Sequence, residues 1–194
     1  MMRRVVKVGG SLLLRPDLGR SLSTWLLRQP PAQHALIVGG GEMIDAVRKL
    51  AMVHNLDPET VHWMCIDLLR QTEQVVAEIV DGLNRIQDRD AFTRWSKCPP
   101  HGSGNTEAAN TLISIPAFYF PGCGSGLPND WDTTSDAIAA YLGTLTRADE
   151  VVLLKSCDVP QGITVSQCIE TGIIDRATAI LMPRTGNLRV ERLP

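Results

Sequence analysis

Short apolar runs alternate along the chain with stretches whose apolar residues recur at helical spacing. Runs at 4–8, 35–39, 111–115, 117–120, 150–155 and 178–182 read as strands, with a weaker one at 187–192. Between them, Leu18, Leu22, Trp25 and Leu26 share one face of a helix over 18–28. Met43, Ile44, Val47, Leu50 and Ala51 mark a second helix. Asp57 is a suitable cap for a third that begins at Pro58, where proline is favoured because its missing N–H has no helical partner. Its apolar positions from Val61 to Leu83 carry it to about Asn84, with a break expected near Gln71-Thr72. That apolar face serves the core or an oligomer contact, and a homo-oligomer is expected. The alternation of strands and helices predicts an α/β sandwich around a mostly parallel sheet. Two glycine- and proline-rich stretches, 98–110 and 121–128, interrupt the pattern and read as loops that bind or cover a ligand.

Composition narrows the function. A chain of 194 residues, 44% hydrophobic, buries one sizeable core, so a single domain over 1–194 is expected. The net charge of −2 leaves no electrostatic footprint for nucleic acid or an anionic membrane. No apolar run approaches the roughly 20 residues that span a bilayer. The N-terminus enters a strand directly after Arg3-Arg4, which predicts a cytoplasmic protein. Five cysteines without a CxxC pair fit neither a disulfide framework nor a zinc ribbon. The spacing of Cys98, His101 and Cys123 matches none of the usual metal-ligand sets, so no protein-held metal is expected.

The chemistry concentrates at the ends of the strands. Lys7 interrupts Val5-Val6-Lys7-Val8 and is followed at once by Gly9-Gly10-Ser11. An ammonium in a buried strand requires an anionic partner, and glycines let backbone amides close around one. A second strand ends in Gly39-Gly40-Gly41-Glu42 and leads into a helix. Open parallel sheets bind ligands at the carboxyl ends of their strands, where such turns gather. Leu127 to Asp136 leads into a third helical run, Ala137 to Leu142, with Thr133 or Thr134 as its cap and Asp136 in its first turn. A second strand-terminal lysine occurs in Leu154-Lys155-Ser156-Cys157-Asp158, and Arg176 follows the Gly172 turn. Lys7, Lys155 and Arg176 converging on a polyanion would suit phosphoryl transfer, which consists mainly of positioning and charge neutralisation. No G-x-G-x-x-G opens a helix after the first strand, which argues against a dinucleotide-dependent dehydrogenase.

Taken in order, these blocks resemble the amino-acid kinase superfamily. Val6-Lys7-Val8-Gly9-Gly10-Ser11 is similar to its first-strand motif, and Val38 to Glu42 to its substrate-side glycine turn. Thr134-Ser135-Asp136-Ala137-Ile138-Ala139 resembles the helix bearing its organising aspartate, and Leu153 to Val159 its nucleotide-side strand. The wording around Trp131 is closest to a small subfamily that includes the kinase acting on (5-(aminomethyl)furan-3-yl)methyl phosphate in methanofuran biosynthesis. The resemblance implies a three-layer sandwich, ATP with Mg2+ as cofactors, and a small phosphorylated or carboxylated acceptor. It implies that Lys7 meets the transferring phosphoryl group, that Gly9, Gly10, Ser11, Lys155, Ser156 and Asp158 hold ATP, and that Asp136 orients the cations. Gly39, Gly40, Gly41, Thr134 and Ser135 would contact the acceptor. Arg176 stands where family members often carry a second catalytic lysine, leaving that role to Arg176 or Lys155. The altered nucleotide-side turn at Pro160-Gln161 is also consistent with a silent, ligand-binding homologue.

Overall fold

The computed structural model describes residues 1–99 and 110–194. Six parallel strands form one sheet in the order β3-β4-β2-β1-β5-β6. They are β1 (Met2–Val8), β2 (Ala32–Val38), β3 (Asn84–Ile86), β4 (Asn110–Ile113), β5 (Glu150–Lys155) and β6 (Asn187–Arg192). Seven helices are described: α1 (Leu18–Arg28), α2 (Glu42–His54), α3 (Pro58–Ile79), α4 (Arg89–Lys97), α5 (Ser135–Thr146), α6 (Val165–Glu170) and α7 (Thr178–Leu181). No helix among the described residues is long and apolar enough to cross a membrane.

Strand alternation divides the core in two. Val5, Ala35, Ile37, Ile113, Val151 and Leu153 point to one face, which α5 and α7 cover. Val6, Val8, Leu36, Val38, Val152 and Leu154 point to the other, where α1 brings Leu18, Leu22, Trp25 and Leu26. α3 serves both, placing Ile66 and Leu69 in the first core and Val76 in the second, where Val80 just past its end joins it. Strands buried on both faces read as unbroken apolar runs, which is why β1, β2 and β5 are visible in the sequence.

Several expectations are corrected. The run 117–120 is not a strand: Pro116, with no N–H to donate to a ladder, sits in a short 3-10 turn at Ile115–Ala117, and Phe118 and Tyr119 go into the core. The run 178–182 is helical because the Asp175 carboxylate accepts from both Thr178 N and Thr178 Oγ1, at 2.7 Å each, and starts α7. α3 ends at Ile79 and has no break, since the Thr72 hydroxyl donates to the Leu69 carbonyl within the helix. The edge strand β3 and helix α4 are additions, β3 burying only Ile86 of its three residues.

At the amino ends of the strands a buried polar network replaces apolar packing. The Arg4 guanidinium pairs with Glu150 and lies 2.9 Å from His34 Nε2, while His34 Nδ1 lies 2.7 Å from Asn110 Oδ1. Arginine can only donate, so Nε2 accepts and the ring is neutral with its proton on Nδ1. Burial, aided by the Arg4 charge, pulls His34 below its ordinary value of 6.5. His62 is displaced the same way by burial.

Both imidazoles take up protons more readily in the unfolded chain. Their contribution to stability is therefore full above pH 6.5 and drains away as pH falls through that value. The urea midpoint should fall between about pH 7 and pH 5, and His34→Gln should flatten that fall. An unchanged slope in the variant would contradict this account of the network.

Candidate active site

Lys7 and Lys155 reach the site because of strand register. Lys7 pairs with Leu153 across the β1–β5 ladder, on the face that carries Val5 and Val151. Lys155 lies two residues beyond Leu153, so it returns to that face. The N-terminus of α5 rests there. Asp136 is 3% exposed, with its Oδ2 accepting from Lys155 Nζ at 2.5 Å and its Oδ1 2.9 Å from Lys7 Nζ. The Lys7 contact is an ion pair outside hydrogen-bond alignment. Burial pushes the Asp136 carboxyl upward, but the two ammoniums outweigh it and hold the group below its usual range. Burial, then repulsion from Lys7, draws Lys155 below the ordinary lysine value against the pull of Asp136 and Asp175. A carboxylate shared by two cations leaves an excess positive charge at this end of the sheet.

The two glycine turns pack backbone on backbone. A Cβ at Gly10 would collide with the Gly41 amide nitrogen, and Gly41 itself has φ +56°. At Gly39 a Cβ would come within 2.8 Å of Ser135 Oγ and 3.1 Å of Lys7 Cε. The turns after β1 and β2 can meet each other and α5 only without side chains. On the other flank, Ser11 Oγ and Ser156 Oγ share a hydrogen bond of 2.7 Å that joins the turns after β1 and β5. Gly9 N donates to the Leu154 carbonyl at 3.0 Å.

Thr134 is the α5 cap, and Asp175 holds that helix start in place. One Asp175 oxygen accepts from Thr134 N, Thr134 Oγ1 and Ala137 N at 3.0, 2.6 and 3.1 Å, while the other caps α7. Sequence reasoning passed over Asp175 in favour of its neighbour Arg176. The signal was present: Asp175 stands three residues before Thr178, the usual distance for a helix cap.

Two cavities flank the start of α5. One, of about 200 Å3, lies between Lys7, Gly10, Gly41, Arg48, His62 and Trp131, over an apolar floor of Ile66, Leu69 and Ile138. The Arg48 guanidinium stacks 4.9 Å from the Trp131 ring centroid across its mouth. The second, of about 370 Å3, is lined by Asp136, Gly172, Asp175 and Arg176, and shares Trp131 and Thr134 with the first. Arg176 is exposed on its rim, whereas Lys155 touches Asp136. The exposed Asp158 carboxylate is held 2.6 Å from Arg192. His62, Arg48 and Trp131 were not singled out as site residues, because their placement depends on how α2 and α3 cross the loop before α5. Of Cys98, His101 and Cys123, His101 lies outside the described residues.

No family model and no curated protein matches this chain. Solved structures do. A uridylate kinase from Archaeoglobus fulgidus superimposes with a TM-score of 0.64 at 17% identity, covering 99% of this chain and 91% of that one. A UMP kinase from Ureaplasma parvum gives 0.64 at 14% identity over 99% and 90%. A UMP kinase from Bacillus anthracis gives 0.64 at 12% identity over 99% and 87%. These likenesses establish the fold, an all-parallel six-stranded sheet between helices, as one shared with the solved uridylate and UMP kinases.

Removing the shared carboxylate leaves two buried ammoniums facing each other. Asp136→Asn should therefore lower unfolding free energy by about 3 kcal/mol in urea titrations, well beyond the loss of a helix-dipole contact. A decrease below about 1 kcal/mol would show that water, not Asp136, compensates the lysines.

Proposed function

We propose that the protein is an ATP-dependent phosphotransferase that passes the γ-phosphoryl group directly to a small acceptor bearing a phosphate or carboxylate. The observation that carries this reading is the buried Lys7–Asp136–Lys155 cluster at the carboxyl ends of β1 and β5, beside two glycine turns too close for any side chain. Phosphoryl transfer asks for little covalent chemistry from the protein and much charge neutralisation, which two fixed ammoniums and oriented amides supply. The donors gathered here, N–H and NH3+ groups, suit phosphate oxygens. MgATP would bring the transferable group and a divalent charge, and Gly9, Gly10, Ser11, Lys155, Ser156 and Asp158 would hold it. Gly39, Gly40, Gly41, Thr134 and Ser135 face the acceptor, with the positive end of the α5 dipole behind them. Lys7 neutralises the group in transit, and Lys155 supplies the second cation in preference to Arg176, because Lys155 already contacts Asp136.

The finer reading names an aminomethylfuran phosphate in C1-carrier cofactor biosynthesis as the acceptor. It rests on the Trp131 to Asp136 wording, and Trp131 lies between the two cavities that flank α5. A cytoplasmic homo-oligomer built of a single 1–194 domain completes the proposal. The exposed Arg176 favours one competing reading, a homologue that binds ligand without turning it over.

Phosphate transfer from labelled ATP to a panel of small phosphates and carboxylates separates the two. Lys7→Ala should keep the fold and lose roughly 10²-fold or more in turnover, as for a lost transition-state donor. Calorimetric binding of MgATP with no transfer to any acceptor would select the silent homologue. Absence of both binding and transfer would remove the kinase.

A further inference from the structure

A groove on the outer side of α3 takes no part in the chemistry above. Two adjoining cavities, of about 410 and 160 Å3, share Trp63 and Phe120 as a common wall. Trp63 is braced by Tyr119, with ring centroids 5.4 Å apart. Two guanidiniums enter from different helices: Arg89 from α4, 3.5 Å from the Phe120 centroid, and Arg70 from α3. Of the two carboxylates nearby, Asp88 is engaged at the α4 N-terminus, accepting from Ala91 N at 2.8 Å, and Asp67 stands exposed.

The lip of the groove is the loop Gly122-Cys123-Gly124-Ser125-Gly126. Its glycines have φ of +78°, +73° and +74°, whereas Cys123 and Ser125 have negative φ. Nothing lies within 4 Å of a Cβ built on any of the three. They are glycine because of the backbone conformation rather than crowding. Alternating signs of φ are the pattern of anion-binding nests, and in this loop the Cys123 N–H is turned back onto the Phe120 carbonyl at 3.0 Å. Among the described residues, the N–H groups of Gly122, Gly124 and Gly126 have no acceptor. The loop is anchored from behind, where Tyr141 Oη donates to the Cys123 carbonyl at 2.9 Å.

We propose that this groove is a second binding site, for a small aromatic anion. The ring lies against Trp63 and Phe120. The phosphate or carboxylate meets the Gly122–Gly126 amides and the Arg89 and Arg70 guanidiniums. The site is separate from the Lys7 cavity, with Ile66 the residue that lines both.

Phenyl phosphate titrated into the full chain, followed by amide and indole NMR, tests this. The expected result is saturable shifts at Gly122, Gly124, Gly126 and the Trp63 indole. These persist in Lys7→Ala, which disables the other cavity. Arg89→Gln, at an exposed position, should weaken these shifts about tenfold without altering the melting temperature, the effect of one lost charge-assisted hydrogen bond. Gly124→Ala should weaken them through the backbone alone. Inorganic phosphate should bind more weakly than phenyl phosphate; equal affinity would overturn the aromatic half of the proposal. Shifts confined to Gly10, Gly40 and Gly41, or lost in Lys7→Ala, or unaffected by Arg89→Gln, would overturn the site itself.

Discussion

One buried carboxylate between two lysines sets the terms for the rest of the molecule. Lys7 occupies a strand position whose neighbours are entirely apolar, and Lys155 pairs across the sheet with Arg192, so neither ammonium could be buried there unpaired. Asp136 makes them tolerable, and it is there only because α5 begins at the carboxyl end of the sheet. The arrangement remains one positive charge in excess, in a protein whose formal charge is −2. That imbalance, enclosed by glycine turns, is what a bound phosphate group would correct.

The glycines are a second constraint of the same kind. Gly10 and Gly41 belong to turns from adjacent strands, and each excludes a side chain from the other. Their mutual contact brings the turn after β1, the turn after β2 and the start of α5 together. The sheet order places β1 centrally, with β2 and β5 on either side. Lys7 therefore lines the cavity beside β2, and its partner Asp136 lines the second. A donor and an acceptor approaching from opposite flanks would meet at Lys7.

Legibility from the sequence followed burial. β1, β2 and β5 are covered on both faces and appear as plain apolar runs, as does the helical period of α3. Lys7, Asp136 and Lys155 stood out because they break local rules: a charge in a strand, or a carboxylate at a helix start. The elements that escaped notice carry too little apolar signal or draw it from elsewhere. β3 is three residues long at the sheet edge, and α7 is helical through its cap rather than its periodicity. The cavity wall formed by Arg48, His62 and Trp131 comes from three separated segments, and no spacing rule links them. Asp175 was hidden differently, by standing next to a more conspicuous arginine.

Asp175 has a consequence beyond capping. A single carboxylate accepts five hydrogen bonds, three from the start of α5 and two from the start of α7. Those two helices otherwise belong to distant parts of the chain. The shared carboxylate couples them as a rivet couples two plates, and the 172–176 rim is fastened to the same point. A ligand that displaced that rim would bear through Asp175 on the first turn of α5, which carries the carboxylate between the lysines. Asp175 thus stands as the fulcrum between the 172–176 rim and Asp136.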